Sequence, residues 1–302
     1  MPNFIFALLV LTSLLFGNAA LAIFLGILYA YLFQPSQNFF SRRIKTIPLQ
    51  IGIVLLGATI SLPYALDVSS QYLLWISLFV IVSFIAGLIL GKILGIHHRV
   101  AFLLSSGAAI CGGTAMAAIA PIIKAKPQEL LIAMTIVFLL NAVAIILFPI
   151  IGSYLEMTNF EFGAWSALAI HDTSSVIGSA LTYGSESAQV AATLKLGRTI
   201  WLIPLILIAN WSFNKQAQVT KFPRFILFFI LAIIANTVFA FSDQIINIFQ
   251  ISSQAFLLLG LFCIGSQFDS NEIKSITGKP LILALMLWAF VIPSAYFLVK
   301  YF

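Results

Sequence analysis

Ala109-Ile110-Cys111-Gly112-Gly113-Thr114-Ala115-Met116 and Ala169-Ile170-His171-Asp172-Thr173-Ser174-Ser175-Val176 lie sixty positions apart and begin alike. Both stand inside long apolar sequence, and both carry residues that interrupt a helix and start another. Gly112-Gly113 permits strained backbone, while Asp172, Thr173, Ser174 and Ser175 favour the opening positions of a helix by capping its free amides. The chain therefore contains one broken element twice. Working outward, the second copy is followed by Lys195-Leu196-Gly197-Arg198, two cations three residues apart in apolar surroundings. An ionisable group at membrane depth is costly and marks a functional site by default.

The surroundings are those of a membrane protein. Of 302 residues, 62% are hydrophobic and 8% charged, with a mean hydropathy of +1.11, whereas soluble domains carry roughly a quarter charged residues. Apolar stretches near the length of a span recur from end to end, so residues 1–302 read as a single transmembrane domain. The net charge of +6 is spread in ones, twos and threes at span ends, which fits topology and excludes nucleic acid as a partner. Cys111 and Cys263 are too few and too deeply placed for a disulfide framework. Phe4 to Phe16 with Ala20-Leu21-Ala22 resembles a signal peptide, but no Lys or Arg precedes Arg42 and the apolar run resumes through Phe33, which favours a retained pair of helices.

Charge orders the rest. Arg42, Arg43 and Lys45 place the first loop in the cytoplasm. Residues 49–65 then run outward to a turn at Asp67, and 71–95 return to His97, His98 and Arg99. Gly87, Gly91 and Gly95 suit close helix packing. If 101–126 crossed the membrane, Lys124 and Lys126 would be outside. A re-entrant hairpin bent at Cys111 to Thr114 keeps them inside, sends 128–152 outward, and leaves Glu156 and Glu161 outside. The second copy, 163–186, then inserts from the opposite side, and 188–210 returns to Lys215, Lys221 and Arg224. Residues 224–242, 246–268 and 280–300 add three crossings, with Asp243 outside and Lys274 and Lys279 inside. Unwound helices that cross at mid-membrane remain the alternative to hairpins. The fold expected is an all-α polytopic membrane protein of about 9–11 membrane segments. Its inverted repeats cover about 19–152 and about 163–302, the second circularly permuted, with both broken elements at the midplane.

Two helix starts facing one another aim amides and positive dipole ends at one spot. The expected substrate-binding residues are Cys111, Gly112, Gly113, Thr114, Thr173, Ser174 and Ser175, with Lys195 and Arg198 supplying positive charge. Asp172, Glu129 and Glu186 are the carboxylates available to pair with those cations. His171 beside Asp172 is a proton- or ion-coupling pair, since histidine titrates near neutrality. His97-His98 reads as a turn and His171 has no second ligand at metal spacing, so no metal is expected. No nucleophile, phosphate-loop or paired-carboxylate motif stands out, so neither enzyme activity nor a cofactor is expected.

At Ile110-Cys111-Gly112 running to Ala120-Pro121, at Ile170-His171-Asp172 with Val176, and at Lys195-Leu196 with Arg198, the sequence resembles the YeiH-type family, which carries a sulfate-exporter label and is similar in plan to the bile acid/arsenite/riboflavin transporter superfamily. The resemblance covers essentially the whole chain and implies a multi-span carrier of the inner (cytoplasmic) membrane. It departs where the family tends to have Ala-Ser in place of Gly113-Thr114 and glutamine in place of Ser175, which bears on substrate and not on architecture. The function expected is secondary active transport of a small anion, sulfate, a sulfonate or similar, by alternating access. A proton or sodium ion is the expected co-substrate, and a homo-oligomer is left open. The alternatives are a passive anion channel and a membrane-embedded receptor or enzyme.

Overall fold

The computed structural model describes residues 2–34, 44, 47–213, 224–266 and 278–301, which are helical with short turns and contain no strand. The expectations for Arg42, Arg43, Lys45, Lys215, Lys221 and Lys274 lie outside the described residues. Among the described residues five helices are long and apolar enough to span a bilayer, or six if the pair Ile47–Gly57 and Leu62–Ser70, bent by 99°, makes one span. Three shorter apolar helices accompany them.

In chain order, α1 (Pro2–Phe16) and α2 (Ala19–Phe33) are followed by α3 (Ile47–Gly57), which turns sharply into α4 (Leu62–Ile93). The turn falls at Ala58 to Ser61, not near Asp67, which lies within α4. The reason is local: Ser61 is the N-cap and Pro63 follows in the first turn, where a missing N–H and a fixed φ favour helix initiation. Next come α5 (His98–Ala109) and α6 (Gly113–Ile119), then the long α7 (Pro127–Tyr154). The second broken element is α8 (Asn159–Ala169) and α9 (Thr173–Tyr183), succeeded by α10 (Ser185–Thr199) and α11 (Leu202–Phe213). The chain closes with α12 (Arg224–Phe239), α13 (Asp243–Gly265) and α14 (Gly278–Tyr301).

Which ends meet decides between hairpin and crossing helix. Run straight, residues 98–119 would span about 33 Å at ~1.5 Å per residue. Instead His97 Nδ1, just before α5, lies 3.3 Å from Glu129 Oε1 in the first turn of α7, so α5 and α6 go in and come back. The second element does the same. A Cβ on Gly184, after α9, would lie 2.7 Å from Asn159 Oδ1, at the start of α8, and the Tyr183 hydroxyl donates to the Met157 carbonyl. Both elements are re-entrant hairpins.

They insert from opposite faces. The first face holds His97, Glu129, the Phe213 end of α11, whose ring centroid lies 4.9 Å from that of His98, and Lys279, beside Gly95. The second holds Glu161, whose Oε1 accepts from Lys300 Nζ at 2.9 Å, together with Asn159 and Gly184. Thus α7 runs from the first face to the second and α10–α11 the reverse; α4 and α14 oppose one another likewise. The Thr158–Glu161 capping box, with Thr158 N donating to Glu161 Oε2 at 2.8 Å and Glu161 N to Thr158 Oγ1 at 3.2 Å, fixes where the second hairpin begins.

Two groups of helices result. Helices α1, α2, α3, α12 and α13 pack on one another, and α4 to α11 with α14 hold the hairpins. Within the second group, Gly87 and Gly91 of α4 lie against Ser105 and Ala101 of α5 with no room for a Cβ, the close packing their spacing indicates. Large apolar side chains such as Leu74, Ile93, Trp211 and Phe228 are exposed on the outside, where lipid replaces water.

The hairpin reading predicts the pattern of labelling by a membrane-impermeant thiol reagent in single-cysteine variants. His97→Cys and Lys126→Cys should label from one face, and Thr158→Cys and Ser185→Cys from the other. Labelling of positions 97 and 126 from opposite faces would mean that α5–α6 crosses.

Candidate functional site at the hairpin tips

Each hairpin tip breaks and restarts its helix at equivalent positions sixty residues apart, by different chemistry. α5 ends at the C-cap Ile110 and α6 starts from Gly112; α8 ends at Ile170 and α9 starts from Asp172. Gly112 has φ +58° and ψ −124°, a conformation costly to any residue with a Cβ. A Cβ there would also come within 3.1 Å of Asp172 Cα and Cβ. The two tips therefore touch, backbone against backbone. At the second tip, Asp172 Oδ2 accepts from Ser174 N at 3.0 Å and Ser175 N at 3.3 Å, the N-cap role its position indicates.

Each break leaves backbone carbonyls of the first half-helix without intrahelical partners, and in a membrane interior water is not there to satisfy them. Lys195 and Arg198 do so. Arg198 Nε donates to the Ala109 carbonyl at 2.6 Å and Nη2 to Ala108 at 2.8 Å, both at the end of α5. Its Nη1 donates to Leu168 at 2.8 Å and Ala167 at 3.1 Å, at the end of α8. Lys195 Nζ donates to Ile170 at 2.6 Å and Ala167 at 3.4 Å. Both cations are 0% exposed, and the Arg198 guanidinium also lies 5.4 Å from the Phe79 ring centroid. Positive charge at two helix C-termini is the arrangement the helix dipole favours.

Pairing with carboxylates, expected for these cations, is replaced by this arrangement. Glu129 instead receives His97 and the Lys126 amide on the first face, and Asp172 is used as a helix cap. Among the described residues neither Lys195 nor Arg198 lies within ion-pair distance of a carboxylate. The structure brings Gly112, Asp172, Lys195 and Arg198 together at one junction, with Cys111, Gly113, Thr173 and Ser175 buried beside them. Thr114 and Ser174 keep part of their surface accessible. His171 is buried, its ring turned to the Ala108 backbone across the junction, and Nδ1 has no partner. Cys111 and Cys263 are free and buried.

One buried polar residue in the middle of α7 belongs to no motif of the sequence. Asn141 of α7 is 1% exposed, and neither Nδ2 nor Oδ1 has a partner. Its signal was available: a lone amide within Phe138-Leu139-Leu140-Asn141-Ala142-Val143, at the centre of an apolar span.

A helical membrane protein in which two re-entrant hairpins insert from opposite faces and meet tip to tip is the class these features define. Residues 5–284 match the family described as Conserved hypothetical protein 698, and the chain belongs to it, as the YeiH-type resemblance indicates. Similar relatives are UPF0324 membrane proteins. That of Bacteroides thetaiotaomicron is 38% identical over 269 residues, 88% of this chain and 82% of that protein. Those of Shewanella oneidensis and Vibrio vulnificus are each 38% identical, over 283 residues (93% and 89%) and 292 residues (94% and 93%). No solved structure matches.

Removing Arg198 strands the carbonyls of Ala108, Ala109 and Leu168, whereas removing Lys195 strands that of Ile170. Arg198→Ala should therefore cost about 3 kcal/mol or more, and Lys195→Ala less. Thermal melting in detergent checks the order; equal melting temperatures for the two variants and the parent would show that the carbonyls find other donors.

Proposed function

We infer that the protein is a secondary transporter of a small anion, held where the hairpin tips meet. The observation that carries this reading is the charge balance of the junction. Two buried cations, Lys195 and Arg198, face one nearby carboxylate, that of Asp172, so the junction holds more positive than negative charge. Buried charge is tolerated when paired or hydrogen-bonded, and the carbonyls supply hydrogen bonds but no full negative charge. An anion completes the balance. Hairpins inserted from opposite faces support alternating access, because one junction can be reached from either side by movement of the elements around it.

In this reading the amides and hydroxyls of Gly113, Thr114, Thr173, Ser174 and Ser175 contact the anion. Cys111 and Gly112 shape the first tip, and Lys195 attracts charge to the junction. His171 with Asp172 couples proton or ion movement. In this reading the first face is cytoplasmic, as the excess of Lys and Arg in the intervening loops of the sequence favours, and the membrane is the inner one. Sulfate and sulfonates are the substrates to try first.

Reconstituted in liposomes, the protein should drive uptake of a labelled oxyanion or sulfonate under a proton or sodium gradient. Lys195→Ala should lower that flux at least about tenfold, and Lys195→Arg should restore part of it, both judged on protein that melts cooperatively. Flux indifferent to Lys195, or no flux of any anion, would overturn the reading. Conductance without gradient dependence would identify a channel.

A further inference from the structure

Among the described residues, Asn141 is the side chain with two buried polar atoms lacking any hydrogen-bond partner. Buried polar groups in native proteins are nearly all paired, and an amide at the centre of a span is costly to leave bare. Its place along α7 follows from its neighbours. Met134, Phe138, Asn141, Ile145, Phe148 and Gly152 recur at three- and four-residue steps and so form one stripe. Towards the first face, Phe138 lies 3.1 Å and Met134 4.0 Å from a Cβ built on Gly113, at the first tip. Towards the second face, Phe148 stacks on Trp165 of α8 with centroids 4.4 Å apart, and Gly152 adjoins Phe162. Because α7 and α8 are antiparallel, each turn back along α7 from Gly152 advances a turn along α8 from Phe162, and Asn141 falls about one turn beyond the Ala169 end of α8, near the second tip. The bare amide therefore sits on the hairpin-facing stripe at the depth where the tips meet.

An amide offers a donor and an acceptor side by side. Sulfate offers acceptors alone and would leave Oδ1 as bare as before. His171 Nδ1, also buried and unpartnered at the second tip, adds another atom in want of a partner. We propose that Asn141 reads the substrate, and that the preferred anion carries an O–H or N–H donor beside its charged oxygens, as a hydroxy- or amino-substituted sulfonate or carboxylate does. This rests on the anion reading and narrows it to a class. A site built around a polar group rejects the analogue that lacks the matching group far more strongly than an apolar pocket rejects an extra one.

The test is a matched pair, 2-hydroxyethanesulfonate and ethanesulfonate, which differ by one hydroxyl. Binding to the purified protein is read as ligand-induced shift in melting temperature across a concentration series. The hydroxylated anion should bind at least about tenfold more tightly. In Asn141→Leu that ratio should fall towards one, while the melting temperature without ligand stays level or rises, because an unpartnered amide has been replaced by an apolar side chain of similar size. A lower unliganded melting temperature would mark Asn141 as a packing residue instead. Equal binding of the two anions by the parent protein overturns the proposal and leaves anion transport standing; no response to either anion, together with no flux, overturns both. Should Asn141→Leu fail to fold, the parent protein's ratio alone decides.

Discussion

A helix that stops inside a membrane leaves carbonyls with nothing to accept from. Here two helices stop, α5 and α8, and their ends are brought to one place where a single guanidinium reaches both. Arg198 bridges Ala108 and Ala109 on one side to Ala167 and Leu168 on the other, and Lys195 takes Ile170. The hairpins, the contact of Gly112 with Asp172 and the placement of α10 beside α8 all follow from meeting that demand. Lysine could not stand in for Arg198, because only a planar fork with five donors spans two helix ends at once.

How much of this was legible in the sequence depends on whether the information was local. Helix ends at Ala109 and Ala169 and starts at Gly113 and Thr173 could be read because Gly-Gly and Asp-Thr-Ser act on their own backbone. Hairpin against crossing helix rests on contacts between residues far apart, His97 with Glu129 and Asn159 with Gly184, for which the position of Lys124 and Lys126 gave only indirect guidance. The turn expected at Asp67 lies instead at Ala58 to Ser61, because Ser61 and Pro63 start a helix that carries Asp67 within it. The acceptors of Lys195 and Arg198 were not legible at all, since a backbone carbonyl has no residue type.

The inverted arrangement divides the two ends of each half-helix between separate tasks. C-terminal ends turn to the cations and are neutralised by them; N-terminal ends, where Thr114 and Ser174 keep accessible surface, turn elsewhere. Asp172 occupies part of one such end, so the two tips are alike in helix order and unlike in charge and in the backbone of the breaking residue, left-handed at Gly112 and extended at Asp172. The repeat is thus symmetric in scaffold and asymmetric in chemistry, which follows from Gly112 and Asp172 holding equivalent positions sixty residues apart.

Glycines set where the molecule can yield. In the group formed by α1, α2, α3, α12 and α13, Gly26 meets Gly265, Gly52 and Gly260 meet Leu257 and Leu49, and Gly57 meets Phe229, all without space for a methyl group. Surfaces meshed this closely resist sliding, so that group behaves as one block. Between it and the hairpins, Gly178 of α9 meets Leu261 of α13 through side-chain atoms only, and the 99° corner joins α3 to α4. The boundary between the two groups is thus softer than the block's interior: a chain corner on one side and the flexible end of Leu261 on the other.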